Sequence, residues 1–108
     1  MEGRREALKI VFENGLYCPM VFCDQCGERI VKSGNYEYRV GKEGQPETGE
    51  IFFTHKECCR AFEETHGGKT GWHANELDEL PLFLRNNLKI TKEDEEKMLE
   101  RLRLKQGI

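Results

Sequence analysis

Cys23-Asp24-Gln25-Cys26-Gly27 and His55-Lys56-Glu57-Cys58 are the two short runs on which the reading of this chain turns. Two cysteines three positions apart can aim both sulfurs at one ion if the backbone between them turns tightly. A glycine just after the second cysteine, here Gly27, lets the chain bend around the metal and point N–H groups at sulfur. His55 and Cys58 are nearly one helical turn apart, so a helix starting there brings both to the same ion. Cys23, Cys26, His55 and Cys58 together make three thiolates and one imidazole. That is a closed tetrahedral set of the kind that holds one structural Zn2+; catalytic zinc usually keeps a position open for water.

Composition agrees with a metal staple. The 108 residues suit one compact unit, but 37% are hydrophobic and 34% charged, so material for a core is scarce. Five cysteines fit a disulfide framework poorly and suit metal ligation in a reducing compartment. Seventeen Lys+Arg against 20 Asp+Glu give a net charge of −3, which argues against a generally basic, nucleic-acid-coating surface. No apolar run approaches the roughly 18 residues of a membrane span, and the charged start Met1–Glu6 is not followed by an apolar signal segment. A cytoplasmic protein without a membrane association is the expectation.

Working outward from the ligands, Ala7–Phe12 and Leu16–Phe22 read as two strands joined at Asn14-Gly15, a strong hairpin signal, with Pro19 marking the second as an edge. Tyr36, Tyr38 and Val40 alternate with Glu37 and Arg39 at the period of a half-buried strand. After a glycine-rich loop, 41–49, the run Ile51–Thr54 returns as its partner. Cys58, Ala61, Phe62 and Thr65 then recur at helical spacing, with Thr54 and Glu57 as a capping-box pattern and Gly67-Gly68 as the stop. Residues 69–75 read as a linker carrying Trp72. Leu77, Leu80, Leu84 and Leu88 mark a helix near Pro81. Thr91 with Asp94 opens a last helix whose acids come first and bases last, complementing the helix dipole.

Knuckle, hairpin, then a helix with two ligands in its first turn: over residues 22–67 this order resembles the treble-clef zinc finger. The resemblance implies a zinc-binding core of an α+β fold, to which the flanking residues add an N-terminal β-hairpin before it and two C-terminal helices after it. The domain boundary is expected at 68/69, between the zinc domain and a helical extension packed on it or used for association. The second pair, His-x-x-Cys, departs from the commoner finger spacings. Treble clefs serve nucleic-acid binding, protein binding and catalysis alike, so the scaffold leaves function open.

The other reactive residues read as structural. Cys59 is turned about 100° from Cys58 on a helix and reads as a half-buried thiol. Cys18 has strand parity opposite to Cys23 and reads as core. His66 lies about 12 Å up the helix from Cys58, out of reach of the same ion. Trp72 reads as an anchor for the C-terminal segment before it reads as a recognition surface. No phosphate loop, nucleophile elbow or H-E-x-x-H occurs, so no enzymatic activity is expected. Two functions remain in play. One is a non-enzymatic adaptor or regulatory protein that meets a protein partner, or itself, through the C-terminal leucines. The other is nucleic-acid binding, with Arg29, Lys32, Arg39, Trp72, Arg101, Arg103 and Lys105 as contacts.

Overall fold

The computed structural model describes residues 7–68 and 70–106; the charged start Met1–Glu6 and the linker's Lys69 lie outside the described residues, as does the side chain of Lys105. Two strands come first, β1 (Leu8–Glu13) and β2 (Leu16–Val21), paired antiparallel with Ile10 opposite Pro19. Asn14 and Gly15 turn between them with φ of 53° and 77°, the left-handed pair a two-residue hairpin turn requires. The knuckle follows. Then come β3 (Asn35–Arg39) and β4 (Phe52–Thr54), a single 3-10 turn at Lys56–Cys58, and helix α1 (Cys59–Thr65). Strand β5 (Trp72–Glu76), a 3-10 turn at Leu77–Glu79, and helices α2 (Leu80–Asn87) and α3 (Lys92–Gln106) complete the chain. The architecture is mixed α+β with two sheets and three helices among the described residues.

The second sheet has the order β4-β3-β5, all antiparallel. β5 corrects the sequence reading, in which residues 69–75 are a linker. Trp72-His73-Ala74-Asn75-Glu76 carries almost no apolar alternation, because it pairs with the free edge of β3 and is half-exposed itself. Pairing makes β3 the central strand, with both of its edges occupied. Side chains directly opposite in an antiparallel pair share a face. Tyr36, Tyr38, Phe53 and His73 therefore lie on one side, and Glu37, Arg39, Phe52, Thr54 and Trp72 on the other.

The first face meets the main core, where Ala7, Cys23, Ile30, Tyr36 and Phe53 are buried and Val21, Tyr38, Cys58, Leu77 and Leu80 pack against them. A metal-ligand candidate, Cys23, thus sits in the middle of the apolar interior. The second face is covered by α1 through Phe62, which is 1% exposed. Phe62 packs on His66, Phe52 and Trp72, with ring centroids 4.1, 5.2 and 5.3 Å away. Trp72 also donates its indole N–H to the His66 carbonyl at 3.3 Å, so it anchors β5 to α1 as expected.

α1 stops where the glycines fall. Gly67 takes φ of 95°, and the Gly68 N–H bonds back to the Glu63 carbonyl at 2.9 Å, closing a Schellman-type end. Its start differs from the sequence reading. Thr54 stays in β4 and gives its hydroxyl to Glu37, while His55 caps the 3-10 turn and Cys58 caps α1, neither with a side-chain cap bond. The carboxylate buried in the sheet competes for the hydroxyl and wins. The C-terminal helix begins as read: Thr91 Oγ1 accepts from the Asp94 N–H and Asp94 Oδ2 from the Thr91 N–H, both at 3.1 Å. α2 starts before Pro81, which occupies its first turn, where a missing N–H costs nothing. Among the described residues no helix is long and apolar enough to cross a membrane.

Candidate metal centre

Residues 23–27 form a tight turn. The Gly27 N–H bonds to the Cys23 carbonyl at 2.9 Å, and Gly27 takes φ of 80°, a region that side chains with a Cβ rarely enter. Asp24 fixes this knuckle to the sheet edge from both directions. Its N–H donates to the Phe53 carbonyl at 2.7 Å, and its Oδ2 accepts the Phe53 N–H at 2.8 Å. Those two bonds set the knuckle beside the end of β4, one residue from His55.

The four candidate ligands then converge. Their donor atoms all lie within 4.8 Å of one another, with Cys26 Sγ 3.4 Å from His55 Nδ1. The N–H groups of Gln25, Cys26 and His55 point at Cys23 Sγ from 3.3, 3.4 and 3.5 Å, as expected around a thiolate. His55 Nε2 lies 3.1 Å from the Arg29 carbonyl. A carbonyl can only accept, so Nε2 carries the proton and Nδ1 keeps its lone pair for the ion. Such an outer bond commonly orients a ligating histidine.

Electrostatics point the same way. Burial raises the Cys23 thiol, but the N–H donors of Cys26, His55 and Gln25 and the imidazole of His55 outweigh it and hold the thiol near neutrality, at about 7. Burial, reinforced by the sulfurs of Cys23 and Cys26, pushes Cys58 up to about 12. His55 is raised: burial works against its proton, while Cys23 and the Arg29 carbonyl favour it more strongly. Three free thiols packed this closely cannot all ionise without a cation between them. The donor chemistry therefore fits a tetrahedral divalent ion such as zinc, held by Cys23, Cys26, His55 and Cys58.

Of the remaining residues singled out in the sequence, only Arg39 and Trp72 come together. Arg29 ion-pairs with Glu13 at 3.2 Å. Arg39 caps the end of α1, donating to the His66 and Gly67 carbonyls at 2.8 and 3.1 Å, and lies 5.7 Å from the Trp72 ring. Lys32 occupies an exposed left-handed turn with φ of 71°. Arg101 and Arg103 are exposed on α3. Cys18 is half-buried on β2 and outside the four-residue cluster.

Sequence reasoning misses Glu37. In a strand read as half-buried, its alternation with Tyr36 and Tyr38 sends it to solvent, yet it is fully buried under α1. The one signal available is the Cys58-Cys59 doublet, whose second thiol must face something other than the knuckle.

A scan against protein-family models finds no match, and neither the curated proteins nor the solved structures give a significant one.

Proposed function

We propose that the chain is a treble-clef protein with one structural Zn2+ on Cys23, Cys26, His55 and Cys58, acting without catalysis by binding another protein. The knuckle, the β3–β4 hairpin and the helical turn that begins after His55 follow the treble-clef order. A closed four-ligand ion would fix the junction of these three parts, at the centre of a core too small to do so alone.

One observation carries the binding role: the hairpin and α2 both expose apolar side chains, and one from each lines a groove between them. The hairpin shows Leu8, Ile10, Phe12 and Tyr17, and α2 shows Leu82, Phe83 and Leu84, with Leu88 just past its end. Between them a groove of about 370 Å³ is lined by Leu8, Ile51, Phe53, Leu80 and Leu84 among others. Exposed apolar surface of this extent marks an interaction site. The simplest partner is a second copy. The nucleic-acid reading is weaker, because Arg29, Arg39 and Lys56 are engaged with Glu13, Glu47 and Glu76. Sedimentation equilibrium from micromolar to millimolar chain tests the reading. Self-association should weaken by about tenfold or more in Leu84→Glu, since burial of one leucine contributes roughly 1.5–3 kcal/mol. A chain monomeric throughout, or association indifferent to Leu84, contradicts it.

A further inference from the structure

Beneath α1, on the sheet face opposite the four-ligand cluster, lies a second group of metal-ligating side chains. We propose that Glu37, Cys59 and Glu63 form a second site for a divalent cation of the zinc class. Their donor atoms all lie within 4.8 Å of one another. Cys59 and Glu63 are one turn apart on α1, with the thiol 3.2 Å from Glu63 Oε2. Glu37 reaches them from the central strand.

Glu37 is the observation that calls for a ligand. The residue is fully buried. Its Oε2 accepts the Thr54 hydroxyl at 2.6 Å, but its Oε1 has no hydrogen-bond partner. An unpaired buried carboxylate oxygen is costly, and a second carboxylate beside it adds repulsion. Among the described residues no Lys, Arg or His forms an ion pair with Glu37 or Glu63. A bound cation supplies the missing opposite charge.

The donor types select the ion. Two carboxylates and a thiolate suit Zn2+ or an ion of similar softness such as Co2+ or Cd2+, and disfavour Mg2+ and Ca2+, which take oxygen alone. Ligands at roughly 2.0–2.3 Å from one ion stand closer together than 4.8 Å, so small side-chain rotations complete the shell. Binding displaces the thiol proton of Cys59, and any carboxyl proton of Glu37, to solvent. Half-buried Cys59 and Glu63 give the ion a route in. Three protein ligands leave a fourth position for water, unlike the closed cluster across the sheet. The Cys58-Cys59 doublet then has a physical account. Successive helical residues turn by about 100°, so one thiol serves each ion.

Elemental analysis of the full chain, dialysed against buffered micromolar free Zn2+, tests the site. Wild type should hold two zinc ions, and Cys59→Ser and Glu37→Gln one each. Glu63→Gln, on the half-exposed helix surface, should fold whatever the fate of the other two and bind the second ion more weakly by about tenfold or more. In the Co2+-loaded chain, Cys59→Ser should lose the part of the sulfur-to-metal charge-transfer absorption that saturates second. One ion in wild type that Cys59→Ser and Glu37→Gln retain would overturn the proposal. Two ions retained in all three variants would overturn it as adventitious surface binding only. Failure of the four-ligand reading is distinguishable: the count would then be one in wild type and none in Cys59→Ser.

Discussion

The sheet with its knuckle and α1, and the helical pair α2–α3 that follows, hold their shape by different means. In the first region the buried residues are few but polar atoms tie them together: Asp24 to Phe53, Thr54 to Glu37, Arg39 to the end of α1. Cys23, at 3% exposure, lies in its centre. In the second region no residue of α2 and no described side chain of α3 is buried. Apart from Leu80, which packs against the core, their leucines are exposed, and order rests largely on caps and on surface pairs such as Arg85–Glu95 at 3.1 Å. A small core stapled by a metal can dispense with the apolar residues that a larger core would consume. Those residues are then free to form an external surface.

Cys26→Ser tests this contrast most severely. It removes a proposed ligand that is itself exposed, so burial alone assigns it almost no effect. Structural zinc contributes on the order of 10 kcal/mol to finger peptides, as much as most small domains have in total. The variant is therefore expected to lose zinc and the near-ultraviolet signal of packed Trp72 together. A folded variant would place the stability of the sheet region in its side-chain packing.

Thr91→Ala probes the other region. It deletes one half of a reciprocal cap and should cost about 1 kcal/mol. Far-ultraviolet circular dichroism should show fraying of α3 while Trp72 fluorescence and zinc content stay unchanged. If the sheet region loosened too, the two regions would be one cooperative unit and the contrast would fail.

A third effect, visible only as pH changes, concerns Glu37. Burial, with the neighbouring Glu63 adding to it, pushes its carboxyl from the ordinary 4.5 up to about 7. The folded chain thus keeps a proton that the unfolded chain gives up above 4.5. Its contribution to stability is present below 4.5 and is lost as pH rises through about 7. At one zinc per chain, urea midpoints of wild type should fall relative to those of Glu37→Gln between these values. Comparing the two proteins cancels the pH dependence of the zinc ligands. Parallel profiles would mean that Glu37 titrates like an exposed carboxylate.

Much of the ligand cluster was legible in the sequence because its determinants are local. Cys-x-x-Cys-Gly dictates a turn, and His-x-x-Cys dictates one helical turn. The Asn14-Gly15 hairpin, the Gly67-Gly68 stop and the Thr91 cap are local in the same way. What escaped depends on partners distant in the chain. β5 is a strand only because β3 offers it an edge, and Trp72-His73-Ala74-Asn75-Glu76 has no pattern of its own to announce that. Once β5 is in place, β3 is central, and α1 covers its second face. Glu37 therefore changes from a solvated alternate residue to a buried acid, and Thr54 from a helix cap to its hydrogen-bond donor.

The account stands or falls on whether zinc organises the sheet region. The direct measurement is a Zn2+ titration of the metal-free full chain under reducing conditions, followed by near-ultraviolet circular dichroism. The account predicts little tertiary signal without metal, a signal that grows with added zinc, and saturation at the first equivalent. A metal-free chain that already shows the full signal and a cooperative unfolding transition would contradict it. Cys23, Cys26, His55 and Cys58 would then be neighbours within a core that holds itself together.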